Sequence, residues 1–375
     1  MKVALIAPVE ETVPPRKYGG TEWIVYHIAN GMGKKGHQVD LYASGDSDKE
    51  PLYNLIPVVP KSIRTLPEIG SDTKIRETTK LLALVDTIQM LKKQQYDVIH
   101  NHASWRFLLF SSFLNQKVVT THHGPLSADY QNIVFKRNKD HYHVSISNNQ
   151  RKDLPQLNFV NTIYNGIDLA LFPFDENKIP DARSGMIFLA RLSPEKGAIE
   201  AAKVAHMVKR KLLIAAKVDL VDQSYYEKCK PFIDNVYVTF RGEIGHDERS
   251  QLLQSARCLF VPIQWEEPFG LMFTEAMASG TPVITFARGS APELIKDGET
   301  GFLVNSSDDM KRGNWIIKKT GIEGLCEAVE RIYAMPEDQY RVMRKACRIH
   351  VTNNFTVEKM VDEYEKAYYK VLEKK

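Results

Sequence analysis

The chain has 375 residues, 43% of them hydrophobic and 26% charged, with a formal net charge of +4. That length exceeds one typical core and suits two domains of ordinary soluble composition. No apolar run approaches the ~20 residues of a membrane span, and the charge bias is too small for nucleic acid.

Four cysteines, Cys229, Cys258, Cys326 and Cys347, are scattered without pair spacing. They read as reduced thiols in a cytoplasmic protein, not as a disulfide frame or a zinc site. Residues 1–166 hold 20 Lys and Arg against 15 Asp and Glu, and the remainder 30 against 31. The N-terminal half could thus meet an anionic acceptor or make weak peripheral contact with a membrane.

VALIAPV, residues 3–9, is a short continuous apolar run and predicts a buried parallel strand rather than a secretory leader. A proline-rich loop follows, ending in Tyr18-Gly19-Gly20-Thr21, and TEWIVYHIANGM predicts a helix with Thr21 as N-cap and Glu22 in its first turn. Glycines at a strand–loop–helix junction let backbone amides approach a phosphate. Gly31-Met32-Gly33-Lys34-Lys35-Gly36 matches GxGxxG, but it ends a helix instead of opening one, so it is no dinucleotide fingerprint. A dehydrogenase is accordingly disfavoured.

Residues 44–71 read as an irregular loop and 72–95 as an amphipathic helix. YDVIHNH, KVVTTHHG and YHVSISNNQR then supply strands, carrying the paired histidines His100/His102, His122/His123 and His141/His143. Partners two apart on a strand share a face. Without carboxylate or cysteine spacing to complete a metal set, they read as strand-end histidines around a cleft.

Asn165-Gly166 is a turn and the expected domain boundary. Beyond it strands alternate with helices again: GMIFLAR, KLLIAAKV, VYVTFRGEI, ARCLFVPI, TPVITF and GETGFLV, with helices over 321–335 and 337–350 and a long amphipathic one over 354–375. Alternation in both halves predicts α/β architecture with mostly parallel sheets, split as 1–166, completed by 354–375, and 167–353.

Two stretches carry chemistry. In ARLSPEKG, residues 190–197, Arg191 and Lys196 leave a strand on either side of a Ser-Pro turn, a fork and a point charge suited to a diphosphate, though Glu195 offers a local partner. In EPFGLMFTE, residues 267–275, two glutamates flank a Pro-Phe-Gly-Leu turn between strand and helix. With Pro268 as the first helical residue, Glu267 would cap the helix and Glu275 would lie roughly 12 Å along its axis. That exceeds the roughly 5–9.5 Å of acid/base carboxylate pairs and suits the two ends of one long ligand.

With GG at 19–20, THHG at 121–124 and YNGID at 164–168, these motifs stand in the order and spacing of a known family. The chain resembles retaining nucleotide-sugar glycosyltransferases of family four. The resemblance implies the GT-B fold: two Rossmann-like domains, an acceptor domain and a donor domain, with the active site in the cleft between them and a C-terminal helix crossing back to the first.

It also implies roles. Glu267 and the backbone of Phe269, Gly270 and Leu271 would hold the donor sugar and β-phosphate, and Glu275 the ribose. Arg191 and Lys196 would stabilise the departing diphosphate, Gly20 would offer it an amide, and His123 would face the sugar, with His122 as a rival.

Preorganised cations and amide dipoles of that kind serve a leaving diphosphate without a metal, and no DxD-like motif stands in a suitable loop. No cofactor is implied beyond the nucleotide diphosphate sugar itself, with UDP-glucose preferred over GDP-mannose and base selection expected near Arg241-Gly242-Glu243-Ile244. The acceptor is a hydroxyl of a sugar, a lipid-linked sugar or a small molecule. A nucleotide-sugar epimerase and a non-catalytic sugar-nucleotide binder are the alternatives.

Overall fold

Seven strands form one parallel sheet: β1 (Lys2–Ile6), β2 (Gln38–Ser44), β3 (Asn54–Val59), β4 (Val98–Asn101), β5 (Lys117–Thr121), β6 (Tyr142–Ser145) and β7 (Phe159–Thr162), in spatial order β3-β2-β1-β4-β5-β6-β7. Six more form a second parallel sheet: β8 (Met186–Arg191), β9 (Leu212–Lys217), β10 (Val238–Gly242), β11 (Cys258–Phe260), β12 (Val283–Phe286) and β13 (Gly301–Val304), in order β10-β9-β8-β11-β12-β13. This computed structural model describes residues 1–17, 19–66, 68–69, 72–181 and 183–373. Tyr18 of the expected glycine loop and residues 374–375 of the expected last helix lie outside the described residues. The chain divides into Met1–Gly166 with Val357–Lys375, and Ile167–Thr356.

Central strands such as β1 and β4 are buried almost throughout because helices cover both faces of the sheet, which the apolar run of β1 anticipates, while β4 buries the polar His100 and Asn101 as well. β3 falls within 44–71, read above as an irregular loop; it is an edge strand, half exposed, with Pro57 inside it. An edge strand tolerates proline and lacks a continuous apolar run, so its signal is weak.

The first long helix runs Gly20–Lys34, with Gly19 rather than Thr21 at its N-cap and no side-chain cap. Its Gly31, part of the misplaced glycine pattern, is a packing residue: a Cβ there would lie 2.4 Å from Val361 Cγ2 on the C-terminal helix Val357–Glu373. That last helix buries Met360, Val361, Tyr364, Ala367, Tyr368 and Val371, one face at the 3.6-residue period of an amphipathic helix. The helix Thr73–Leu91 starts where Asp72 accepts from the amides of Lys74 (2.8 Å) and Ile75 (3.1 Å), an N-cap of ordinary kind.

In the second unit the helix Glu337–Asn354 carries Arg344, fully buried and in no salt bridge among the described residues. Its guanidinium donates to the carbonyls of Gly280 (3.1 Å) and Lys178 (2.7 Å) and lies 5.3 Å from the Phe174 ring centroid. Gly280 directly follows the helix that carries Glu275, so Arg344 anchors the far end of that helix.

Candidate active site

Strand β8 ends at Arg191, and a single 3₁₀ turn, Pro194–Lys196, delivers Lys196 into the interior, where it is 8% exposed. Gly197 ends the turn at φ 77° and starts the helix Ala198–Val208. Strand β11 leads through Trp265 to Glu267, itself 6% exposed.

The two loops meet in an ion pair between Lys196 Nζ and Glu267 Oε2. The Trp265 indole N–H donates to the same oxygen at 2.9 Å, and Lys196 lies 5.0 Å from the indole centroid. Oε2 is thus engaged twice, whereas Oε1 has no hydrogen bond to any described residue. A buried pair of this kind is weak evidence for stability, since desolvation offsets most of the attraction. Its value is as a preset charge: a cation held in a low-dielectric pocket beside a carboxylate oxygen still open to a ligand.

Glu267 is not the helix cap expected from Pro268. The helix begins at Leu271, with Gly270 at its N-cap at φ 83°, and runs to Ala278. Glu275 is therefore its fifth residue, and the axial estimate of roughly 12 Å, which assumed helix from Pro268 onward, does not apply. The segment before Gly270 is held by Ser290 instead: its N–H donates to the Glu267 carbonyl (2.9 Å) and its Oγ to the Phe269 carbonyl (2.6 Å). The adjacent Gly289 must lack a side chain, because a Cβ would lie 2.2 Å from the Glu267 nitrogen. The Phe269 ring is buried, which leaves only its backbone for a ligand. No side chain caps the first turn at Leu271; the Phe273 N–H donates to the Gly270 carbonyl (2.9 Å), and the Leu271 and Met272 amides are left without a side-chain cap, as an anion requires.

Glu275 is 8% exposed and its Oε1 accepts from Arg249 NH1 at 3.0 Å. Arg191 pairs with Glu195, the local partner anticipated above, and its Nε lies 3.7 Å from Asp222. Burial pushes the Asp222 carboxyl up against the opposing pull of Arg191. The structure therefore brings Lys196 and Glu267 into contact, seats Phe269, Gly270 and Leu271 between Glu267 and Glu275, and gives Arg191 two carboxylates.

Gly20 and His123 belong to the first unit. Gly20 opens the uncapped helix Gly20–Lys34. His122 and His123 separate cleanly. His143 Nε2 donates to the Asn138 carbonyl (2.9 Å), so its Nδ1 accepts from His122 Nε2 (3.0 Å), and His122 is consumed inside. His123 is only half buried; its Nε2 meets His102 Nδ1 at 2.8 Å and burial holds its pKa down to about 4. Among the described residues no group of three or more His, Cys, Asp or Glu side chains is arranged to hold a metal ion.

Glu22, in the first turn after the glycine pair, is a buried carboxyl whose perturbation the sequence did not flag. Burial pushes its carboxyl up to about 7, with Glu11 and Glu10 adding to the rise and Arg64 opposing it. Folded Glu22 holds its proton more tightly than the unfolded residue does, so stability falls as pH rises from about 4.5 through 7 and is level above, a loss of about 3 kcal/mol. Glu22→Gln is expected to melt higher than the parent at pH 8 and to match it at pH 4, read by thermal denaturation at both pH values.

Two family models divide most of the chain between them: Glycosyltransferase Family 4 over residues 18–171 and Glycosyl transferases group 1 over residues 173–320. The chain is a glycosyltransferase. This glycosyltransferase is similar to glycogen synthase of Mycobacterium tuberculosis, at 24% identity over 91% of this chain and 89% of that protein. Among solved structures it is similar to sucrose-phosphate synthase from Thermosynechococcus elongatus, with TM-score 0.78, 20% identity and 99% of each chain covered. It is also similar to HepE of Anabaena in complex with UDP and glucose, with TM-score 0.73, 17% identity, and 98% of this chain and 99% of that one covered. At those identities the structural likeness carries the fold, two parallel-sheet α/β domains of GT-B type.

In the glycosyltransferase, the partners that sequence reasoning missed are Trp265, Arg249, Asp222 and Ser290. Trp265 stood two residues before Glu267, and a buried indole beside a carboxylate is a signal that could have been used. The others meet the site only through the fold.

Proposed function

We propose that this glycosyltransferase moves a hexose, glucose by preference, from a UDP-sugar to a hydroxyl acceptor, with retention of configuration and without a metal. The observation that carries this reading is the buried Lys196–Glu267 pair: a preset cation beside a carboxylate oxygen left open. Lys196 and Arg191 would stabilise the charge that develops on the departing diphosphate, and they need no reorganisation to do so. The backbone at Phe269, Gly270 and Leu271 would take the β-phosphate, Glu267 the sugar hydroxyls and Glu275 the ribose. To Gly20 and His123 we assign the contacts the family resemblance implies, with diphosphate and sugar. HepE, which resembles the chain along its whole length, is complexed with UDP and glucose, which favours a uridine donor here.

Base selection is assigned to the backbone at the end of β10, near Arg241–Ile244. The acceptor is a sugar, a lipid-linked sugar or a small molecule. No described helix is long and apolar enough to cross a membrane. Tyr130 and Ile133, exposed beside Lys136 and Arg137 on the helix Asp129–Arg137, support peripheral contact with an anionic surface from the cytoplasmic side.

A thermal-shift screen against UDP, GDP, ADP and dTDP sugars tests the donor, and the UDP sugar is expected to raise the melting temperature most. Incubating that donor without acceptor then separates transfer from epimerisation: slow hydrolysis supports the proposal, and an epimer of the donor overturns it. Glu275→Gln keeps the shape but removes the charge available to the ribose and replaces one acceptor oxygen by a donor. It is expected to weaken UDP binding about 10–150-fold, measured by titration calorimetry, since a hydrogen bond to a charged group contributes about 1.5–3 kcal/mol.

A further inference from the structure

Behind His123 lies a continuous line of buried polar side chains within the first unit. His123 Nε2 meets His102 Nδ1 at 2.8 Å, and His102 Nε2 meets His100 Nδ1 at 3.1 Å. The Tyr368 hydroxyl reaches the same His100 Nδ1 at 2.6 Å, and His100 Nε2 meets Thr121 Oγ1 at 2.8 Å. His100, His102 and Tyr368 are at most 2% exposed, so their hydrogen bonds are not shared with solvent.

Proton placement along this line follows from one group. The phenolic hydrogen of Tyr368 is fully buried, and among the described residues its only acceptor is His100 Nδ1. A buried donor left without an acceptor loses its hydration uncompensated, so Tyr368 donates. His100 Nδ1 is then an acceptor, and the ring's single proton sits on Nε2, facing Thr121. His102 Nε2 faces the same nitrogen, whose one lone pair Tyr368 takes at the shorter distance, and it must carry hydrogen as the second, weaker donor, since two lone pairs at 3.1 Å would repel. Neutral His102 therefore offers a bare Nδ1, and His123 Nε2 must donate to it.

Burial supports this bookkeeping by holding His100 and His102 well below the usual histidine range, so each ring is neutral with one proton. At the end of the line the remaining nitrogen of His123, Nδ1, carries a lone pair and makes no hydrogen bond to any described residue.

We propose that Tyr368, His100 and His102 are positioning residues that lock His123 in its Nε2–H tautomer, so that His123 presents an acceptor, not a donor, to a substrate hydroxyl. The part about substrate rests on the assignment of His123 in the proposed function; the tautomer itself does not. Tyr368 sits on the C-terminal helix, 245 positions beyond His123 in sequence, so the lock couples that helix to the chemistry of one imidazole.

Tyr368→Phe tests it. Without the phenol, His100 can carry hydrogen on Nδ1 and accept from Thr121 on Nε2, which reverses the whole line and puts the His123 proton on Nδ1. The two directions then satisfy the same groups and should coexist. Long-range proton–nitrogen NMR of the full-length protein, labelled at histidine, reads the His123 tautomer directly without substrate. The expected result is a pyridine-type Nδ1 in the parent and a tautomer mixture in Tyr368→Phe.

Donor turnover should fall by the factor by which the Nε2–H population falls, because only that fraction is competent. His102→Asn, whose carbonyl can stand where Nδ1 stood, should keep the parental tautomer, and His102→Leu should release it. A parent with hydrogen on Nδ1, or a tautomer unmoved by both Tyr368→Phe and His102→Leu, overturns the proposal. A tautomer that shifts as expected while turnover stays constant upholds the lock and removes His123 from the reacting centre; full turnover in His123→Ala would do the latter independently.

Discussion

Lys196→Ala is expected to lower kcat by about 10²–10³-fold, the size seen when one preorganised charge-stabilising donor is removed. Two effects add in this variant. The leaving diphosphate loses a buried cation already in position, and among the described residues Glu267 keeps only the Trp265 N–H as a side-chain donor. Breaking a buried pair on one side destabilises by about 3–5 kcal/mol, so the melting temperature should fall as well.

The double variant Lys196→Met/Glu267→Gln separates them. It removes both charges at similar volume and should recover most of the stability, while turnover stays low. Steady-state kinetics with the UDP sugar and thermal denaturation of the three proteins read the two effects independently. A single variant that is destabilised but fully active would remove Lys196 from the chemistry and leave it a structural ion.

The second large effect is expected far from any ligand. Arg344→Met should cost about 3–5 kcal/mol, because the carbonyls of Gly280 and Lys178 lose a charged donor inside the protein. For a unit of this size that corresponds to a fall of roughly 10 °C in the melting temperature. Arg344→Lys is expected to recover little, since an ammonium cannot reach two separately placed carbonyls as the planar fork does. Differential scanning calorimetry measures both. The consequence for function is indirect: Gly280 follows the helix that bears Glu275, so loosening Arg344 frees one end of that helix while Ser290 still holds the other.

Much of the fold was legible because parallel strands buried on both faces tend to spell themselves as apolar runs, and although β4 ends in the polar His100 and Asn101, β1 and β12 did so. β3 did not, since an edge strand needs no such run and can carry Pro57. Helix starts were the weaker part. Thr21 and Glu267 both have the side chains of caps, yet Gly19 and Gly270 hold those positions. At both junctions a glycine leaves the amides open, and propensity rules, which favour an oxygen there, point elsewhere.

Within the candidate site, the charged residues of local motifs were readable. Their partners were not, because Arg249, Asp222, Ser290 and the Tyr368–His100–His102 line come from segments joined only by the fold. The paired histidines were seen, but which member of each pair faced inward depended on Asn138, Thr121 and a tyrosine on the last helix.

The interruption of the first unit by the second has a bearing on how the chain is made. Residues 1–166 leave the ribosome with all seven strands of their sheet, but the helix Val357–Glu373, which buries six side chains against them, is synthesised only after 190 intervening residues. During that interval the surface destined for Val361, Tyr364 and Tyr368 is uncovered, and the sheet must wait for its last layer. The inserted unit has no such delay: Ile167 pairs with Thr356 as an isolated parallel bridge, and the Ile167 N–H donates to the Phe355 carbonyl at 2.7 Å, so its two ends close on each other. Co-translational maturation should therefore run out of order, the later-made unit closing first and the earlier one finishing as the final residues emerge.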